Sequence, residues 1–378
     1  MCYGGLATFA LPRVAFAQVK SGGRLVFVLL RGGFDGLAAV VPYGDSAYRT
    51  LRGTLAFDES QLVALNDTFG LAPGLSAMRE LWDANELVVL HAMAIPFRTR
   101  SHFDGQAILE TGIDRPAGTA DGWLNRLLQV MDGKRSGIAI AAGMPRSMTG
   151  PFDVQTWSPA QLGSVDDQYM DRLATLYRTD QVLHGRFEAA LQQQAMVGEE
   201  PMAGNGARRG GITPLMRAAA RILRPDGGPN IAAMEFSGWD THANQGLAGG
   251  ALDRLLAQLA EGLTVFRTEM GPAWPHTTVV VMTEFGRTAR PNGTRGTDHG
   301  TAGAGFIVGP TVARSVVHSD WPGLGDRALF ESRDLKPTLD TRAALKAAIA
   351  GTFDMTAAQV DRVFPSSEAV RGAYQLMG

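Results

Sequence analysis

Short unbroken apolar runs, each leading into a stretch with helical spacing, set the strongest limit on how this chain can fold. Residues 25–30, 87–91, 231–236 and 278–282 are four such runs, and 138–141 and 306–308 are weaker ones. Continuous rather than alternating hydrophobicity marks strands covered on both faces, which is the condition of a parallel sheet. Helical patterns fall between the runs, at 72–84, 102–110, 122–131, 167–193, 214–223, 249–269 and 341–350. The alternation predicts an α/β fold: a three-layer α/β/α sandwich with a mainly parallel sheet. With 378 residues, 45% of them hydrophobic, the chain can cover such a sheet on both sides. The pattern at 167–193 reads as one long helix inside a helical insertion at about 160–211. Residues 197–211, where Gly, Pro and Glu are frequent, read as a linker.

Net charge is -2, and the basic residues are scattered and nearly all Arg, so nothing here invites nucleic acid. The single cysteine, Cys2, excludes an internal disulfide and a Cys-rich metal site. Residues 1–17 read as the end of an export signal without its basic start, with Ala15-Phe16-Ala17 as the cleavage site before Gln18. That leaves 18–378 as one α/β domain in the periplasm or outside the cell. No later run reaches the roughly 18 apolar residues of a membrane-spanning helix.

In a parallel sheet the carboxyl ends of the strands share one edge, so residues remote in sequence meet there. After 25–30, Gly32-Gly33-Phe34-Asp35 presents a carboxylate from a glycine turn; Asp35 suits either a metal or a helix cap. After 87–91, Arg98-Thr99-Arg100-Ser101-His102 opens a helix with Ser101 placed to cap it. The same hydroxyl, flanked by Arg98, Arg100 and His102, is also placed to attack an anionic ester, and the two roles are compatible. After 231–236, Asp240 and His242 stand two residues apart, where both can reach one ion from a loop. After 278–282, Glu284 needs a partner, either Arg287 or a metal, and a polar loop then carries Asp298-His299 between glycines. His184, His276 and His318 lack acidic neighbours and read as structural. Converging carboxylates and imidazoles predict a divalent metal, zinc first, with Mn²⁺, Mg²⁺ or Ca²⁺ as alternatives.

These motifs in this order resemble the bacterial family known only as domain of unknown function 1501 (DUF1501). The likeness runs over nearly all of 24–366 and includes Trp321-Pro322 and Arg333-Asp334-Leu335. Members of that family are typically exported, often by a twin-arginine signal. The family is in turn similar to the alkaline phosphatase and sulfatase superfamily, which implies an alkaline-phosphatase-like sandwich with divalent metal at the strand ends. On that resemblance Asp35, Asp240, His242, Glu284 and His299 are metal ligands, Asp298 is a ligand or supports one, and Ser101 is the nucleophile. Phe285 departs from the superfamily, which has His after its acidic ligand, and Asp240 and His242 are closer together than its usual pair.

The expectation is an exported metal-dependent hydrolase of phosphate or sulfate esters acting on a small anionic substrate. Ser101 attacks, Arg98 or Arg100 clamps the anion, and His102 is an alternative proton carrier. The other reading, which Phe285 favours, is a non-catalytic exported binding protein that retains the fold.

Overall fold

The computed structural model describes residues 22–116, 121–131, 135–159, 167–197 and 211–378. The proposed export segment 1–17 and most of the expected linker, 198–210, lie outside the described residues.

The strands of the main sheet are β1 (Arg24–Arg31), β2 (Leu87–Ala94), β3 (Gly137–Ile140), β4 (Gln155–Trp157), β5 (Ile231–Ser237), β6 (Thr277–Met282), β7 (Gly303–Val308), β8 (Val316–His318) and β9 (Leu339–Asp340). Their order is β8-β2-β7-β6-β1-β5-β3-β4, with β9 also pairing β2. Every pairing is parallel except those of β7, which runs against both β2 and β6. The sheet is therefore mostly parallel, as the apolar runs imply. β4, β8 and β9 are too short or too polar to stand out in the sequence.

Successive side chains of a strand point to opposite faces, and β1 shows what this does. Val26, Val28 and Leu30 enter one core with Met216, Leu256 and Phe266. Leu25, Phe27 and Leu29 enter the other with Trp123, Ile349 and Phe353. The first core is covered by the helices Ile212–Leu223 and Ala251–Met270, the second by His102–Thr111, Trp123–Val130 and Thr341–Phe353. Helices flank the sheet on both sides. Phe27 meets Trp123 edge to face at 5.2 Å, and Trp123 stacks on Phe364 at 5.5 Å. Burying each such side chain contributes about 1.5–3 kcal/mol.

The helix at His102–Thr111, here α1, starts at the sheet's functional edge. Ser101 caps it by accepting from Asp104 N at 3.3 Å. Gly112 ends it in the left-handed region, at φ 71°, and a Cβ there would stand 2.5 Å from the Phe364 ring. The single long helix expected at 167–193 is instead two, Asp167–Tyr177 and Gln181–Val197. Asp180 is the cause: its Oδ1 accepts from Val182 N at 2.9 Å and Leu183 N at 3.1 Å, restarting the helix as a new N-terminus. Likewise, 72–84 is a 3₁₀ segment, Pro73–Met78, followed by a short helix, Arg79–Asp83.

His91 in β2 is wholly buried, between Phe69 and Trp321 at centroid distances of 5.4 and 5.0 Å. It accepts from Ala92 N at Nδ1 and donates from Nε2 to Val40 O, which defines a neutral ring. Burial pushes its pKa from 6.5 down to about 4. The unfolded chain therefore takes this proton first as pH falls, so the stability that the site contributes is complete above pH 6.5 and lost toward pH 4. We expect wild type to lose about 3 kcal/mol more than His91→Gln over that interval, read by urea unfolding at each pH. An equal loss in both proteins would refute this.

Candidate metal centre

The carboxyl ends of the neighbouring strands β5, β1 and β6 lie side by side. β1 is followed by Gly32 and Gly33, both with positive φ, and a Cβ at Gly32 would fall 2.5 Å from Asp240 N. At Gly33 it would fall 2.5 Å from the Phe285 ring. Only glycine lets the loops after these three strands close together. The reversal of β7 brings in the fourth segment. Because β7 runs the other way, the residues before it, not after it, reach this edge. Bonds of Gly286 N to Thr301 O (3.0 Å) and Thr288 N to Asp298 O (2.9 Å) extend the β6–β7 hairpin and pair Arg287 with His299.

Three imidazoles meet there, and each Nδ1 rests on an oxygen acceptor. His102 Nδ1 donates to Glu284 Oε1 at 2.7 Å, His242 Nδ1 to Asp298 Oδ1 at 3.2 Å, and His299 Nδ1 to the main-chain oxygen of Arg100 at 3.0 Å. With hydrogen on Nδ1, each neutral ring presents a bare Nε2. The three Nε2 atoms gather round Asp240: His102 is 3.5 Å from Oδ2, His242 3.0 Å and His299 3.3 Å from Oδ1. The Nε2 atoms of His242 and His299 are 3.0 Å apart. His102 Nε2 is buried and has no hydrogen-bond partner. Among the described residues, ligand atoms of His102, Asp240 and His299 lie within 4.8 Å of one another. With Nε2 bare, lone pairs would face lone pairs here, an arrangement that a cation between them would relieve, and ligands of a tetrahedral zinc stand about 3.4 Å apart. The donor set fits a divalent metal, and the acceptors behind each ring are the supports that metal-bound histidines use.

The charges follow from these contacts. Burial disfavours ionised Glu284, yet donors from His102, Gln106 and Gly32 N–H outweigh it and hold the pKa below the usual range. Burial likewise opposes ionised Asp240, but the Arg287 guanidinium and the neighbouring imidazoles hold it low. The Glu284 bond raises His102 against burial, while burial and the His102 charge lower His299. Asp298 is lowered chiefly by Asn292, against a smaller effect of burial.

The remaining expected residues are placed as follows. Asp35 stands apart from the imidazoles: it is buried, ion-paired to Arg52 at 2.7 Å and bonded by Gln245 at 2.8 Å. Glu284 and Asp298 support histidines. Arg98 bonds the carbonyls of Ile95 and Phe97, and Arg100 is tied to Asp334 and Glu331. Arg287 is buried and bonds Gly32 O and Gly33 O at 2.5 Å, Thr297 O at 3.1 Å, Trp239 O at 3.2 Å and Asp240. Sequence reasoning missed Gln106, which donates to Glu284 at 2.9 Å and accepts from Arg31 at 2.5 Å. Its signal was the four-residue spacing from His102, which puts both on one helix face. Asn292, holding Asp298 at 3.0 Å and His242 O at 2.8 Å, carried none.

The family model described as protein of unknown function (DUF1501) matches residues 90–364. No curated protein matches the sequence. Among solved structures, the zinc complex of the C-terminal periplasmic domain of EcEptC from Escherichia coli is 14% identical, over 79% of this chain and 77% of that one, with TM-score 0.37. The PsFucS1 sulfatase from Pseudoalteromonas sp. is 14% identical over 78% and 64%, with TM-score 0.35. A putative sulfatase from Bacteroides thetaiotaomicron is 9% identical over 91% and 75%, with TM-score 0.41.

Replacing Arg287 by Met strands the carbonyls it bonds and removes the buried partner of Asp240. We expect a loss of about 2–4 kcal/mol in denaturant unfolding, chiefly from the stranded buried carbonyls, at about 1–3 kcal/mol for each left unsatisfied; a loss under about 1 kcal/mol would mean the loops hold themselves.

Proposed function

The chain belongs to the DUF1501 family, and we propose that it is an exported, metal-dependent hydrolase of phosphate or sulfate esters. The observation that carries this reading is the convergence of three bare Nε2 atoms on the Asp240 carboxylate, each ring backed by its own acceptor. In this reading His102, Asp240 and His299 hold the metal, with zinc the best match to two imidazoles and a carboxylate. Three protein ligands leave a position open, as catalytic rather than structural zinc sites do. When bound, the metal supplies positive charge at an ester oxygen and so stabilises the charge that develops in displacement.

The chain's own residues do the rest. Ser101 Oγ accepts from Asp104 N, which leaves its hydrogen and a second lone pair for attack at phosphorus or sulfur. Attack forms the bond from Oγ and breaks the bond to the leaving oxygen, and the Oγ proton passes to the proton carrier and from it to that leaving oxygen. His242 lies between Asp298 on Nδ1 and Asp240 on Nε2 and is the more exposed of the clustered rings, so it is the proton carrier here rather than a ligand. Water then releases the group from Ser101. Because Arg98 and Arg100 are committed elsewhere, the first turn of α1, which begins beside the site, receives the anion. No helix among the described residues is long and apolar enough to cross a membrane; export rests on residues 1–17.

The competing reading, a non-catalytic exported binding protein that retains the fold, is supported by Phe285. Its apolar ring packs 4.8 Å from His102 and 5.1 Å from His299, at the position where the superfamily that the chain resembles carries a histidine.

The test is to load purified protein with Zn²⁺, Mn²⁺, Mg²⁺ or Ca²⁺ and to assay aryl phosphates and sulfates alongside elemental analysis. His102→Ala should lose stoichiometric metal while remaining folded. Ser101→Ala and His242→Ala should keep the metal and lose turnover by about 100-fold or more. Metal without turnover on any ester would favour the binding protein. Wild type that holds no metal and keeps its stability in chelator would overturn the hydrolase and favour the binding protein.

A further inference from the structure

The segment Arg333-Asp334-Leu335 takes no part in the chemistry above, yet Asp334 is fully buried. Packing alone asks for an apolar side chain at such a position, because a buried carboxylate is unfavourable unless donors compensate it. The donors are specific. Asp334 Oδ2 accepts from Arg100 Nε at 2.8 Å and from Thr301 Oγ1 at 2.8 Å, and Arg333 Nη1 lies 3.2 Å from Oδ1. Arg333 Nη2 in turn donates to the main-chain oxygen of His299 at 2.9 Å. Main-chain bridges to Phe330 and Thr288 fix Asp334 itself.

Both arms of this arrangement end on one histidine. Arg100 sits at φ 58°, a left-handed conformation that a side-chain-bearing residue adopts only when its surroundings hold it there. In that conformation its carbonyl receives the Nδ1 hydrogen of His299 at 3.0 Å. A carbonyl can only accept, so the contact selects the tautomer whose Nε2 is bare.

We propose that Asp334 is the positioning residue of the centre: by anchoring the Arg100 guanidinium it holds the Arg100 carbonyl against His299 and so sets that ring's tautomer and aim. The inference rests on the metal-centre reading for its consequence, but not for its geometry. Asp334 touches neither His102, Asp240 nor His299 by its side chain. It acts through Arg100 and Arg333.

Two variants test it, Asp334→Asn and Arg100→Ala. The second removes the guanidinium but leaves both the carbonyl and the buried carboxylate, so it decides the matter if the first fails to fold. Glu331→Gln removes only Arg100's exposed partner and serves as control. The first measurement is the nitrogen–proton spectrum of the imidazoles in metal-free protein. Wild type should show His299 protonated at Nδ1 alone, and the two variants a mixture of tautomers. The second is Zn²⁺ affinity by competition with a chromophoric chelator. Each variant should bind about 10–100-fold more weakly, the double variant no more weakly than the worse single one, and the control within twofold of wild type. Folded variants with an unchanged His299 spectrum and affinity within twofold of wild type would overturn the proposal. If wild type binds no Zn²⁺, the metal-centre reading falls, and the metal-free spectra still decide whether Asp334 holds His299.

Discussion

One buried guanidinium holds the functional edge together. Arg287 donates to carbonyls of the loop after β1, the loop after β5 and the loop before β7, and it also meets Asp240. Those loops are rich in glycine and approach one another too closely for side chains, so their own packing contributes little there. A planar fork with five donors and a permanent charge can satisfy several carbonyls that would otherwise be stranded without water. Lysine, a point donor on a flexible stem, would not span the same oxygens. Everything later in the site assumes that these loops stay where Arg287 puts them.

On that frame the polar groups form concentric layers. Bare ring nitrogens and Asp240 lie innermost. Glu284, Asp298 and the Arg100 carbonyl stand behind them, and Gln106, Asn292 and Asp334 stand behind those in turn. Gln106 and Asn292 donate to the carboxylates in front of them and Asp334 anchors the Arg100 side chain, while those two carboxylates and the Arg100 carbonyl each accept from a ring Nδ1. The inner nitrogens are thereby left as acceptors with no hydrogen of their own to share. Hydrogen-bond donors and neighbouring positive charge hold Glu284 and Asp240 ionised against the burial that opposes it.

The fold was legible in the sequence because its signal is strong and local. Eight-residue β1 carries an unbroken apolar stretch, and its burial on both faces follows directly. Short edge strands such as Gln155–Trp157 have no such stretch, and the split at Asp180 looks like continuous helix until its capping bonds are seen. The site was legible as a gathering of motifs at one edge, but not as an assignment of atoms. Asp35 and Glu284 look alike in sequence, each an acid just past a strand. The difference lies in what the fold sets beside them: Arg52 for one, His102 for the other. Arg100 looked like an anion clamp because nothing nearby in sequence reveals that Asp334, hundreds of positions on, already holds it. Contacts across such separations have no sequence period to announce them.

The antiparallel bridge between Arg287 and His299 has an effect on how this region can vary in length. Directly opposed residues in such a pair project to the same side, and a shift by a single position turns both away at once. The loop tip between them, 289–297, can gain or lose residues only if the bridge keeps its partners. An added residue that displaces the pairing of 286–288 with 298–301 should not be tolerated, and the tip is itself pinned to the loop after β5, since Asn292 bonds Asp298 and His242 O while Thr294 O and Arg295 O accept from Asn244 N and Gln245 N.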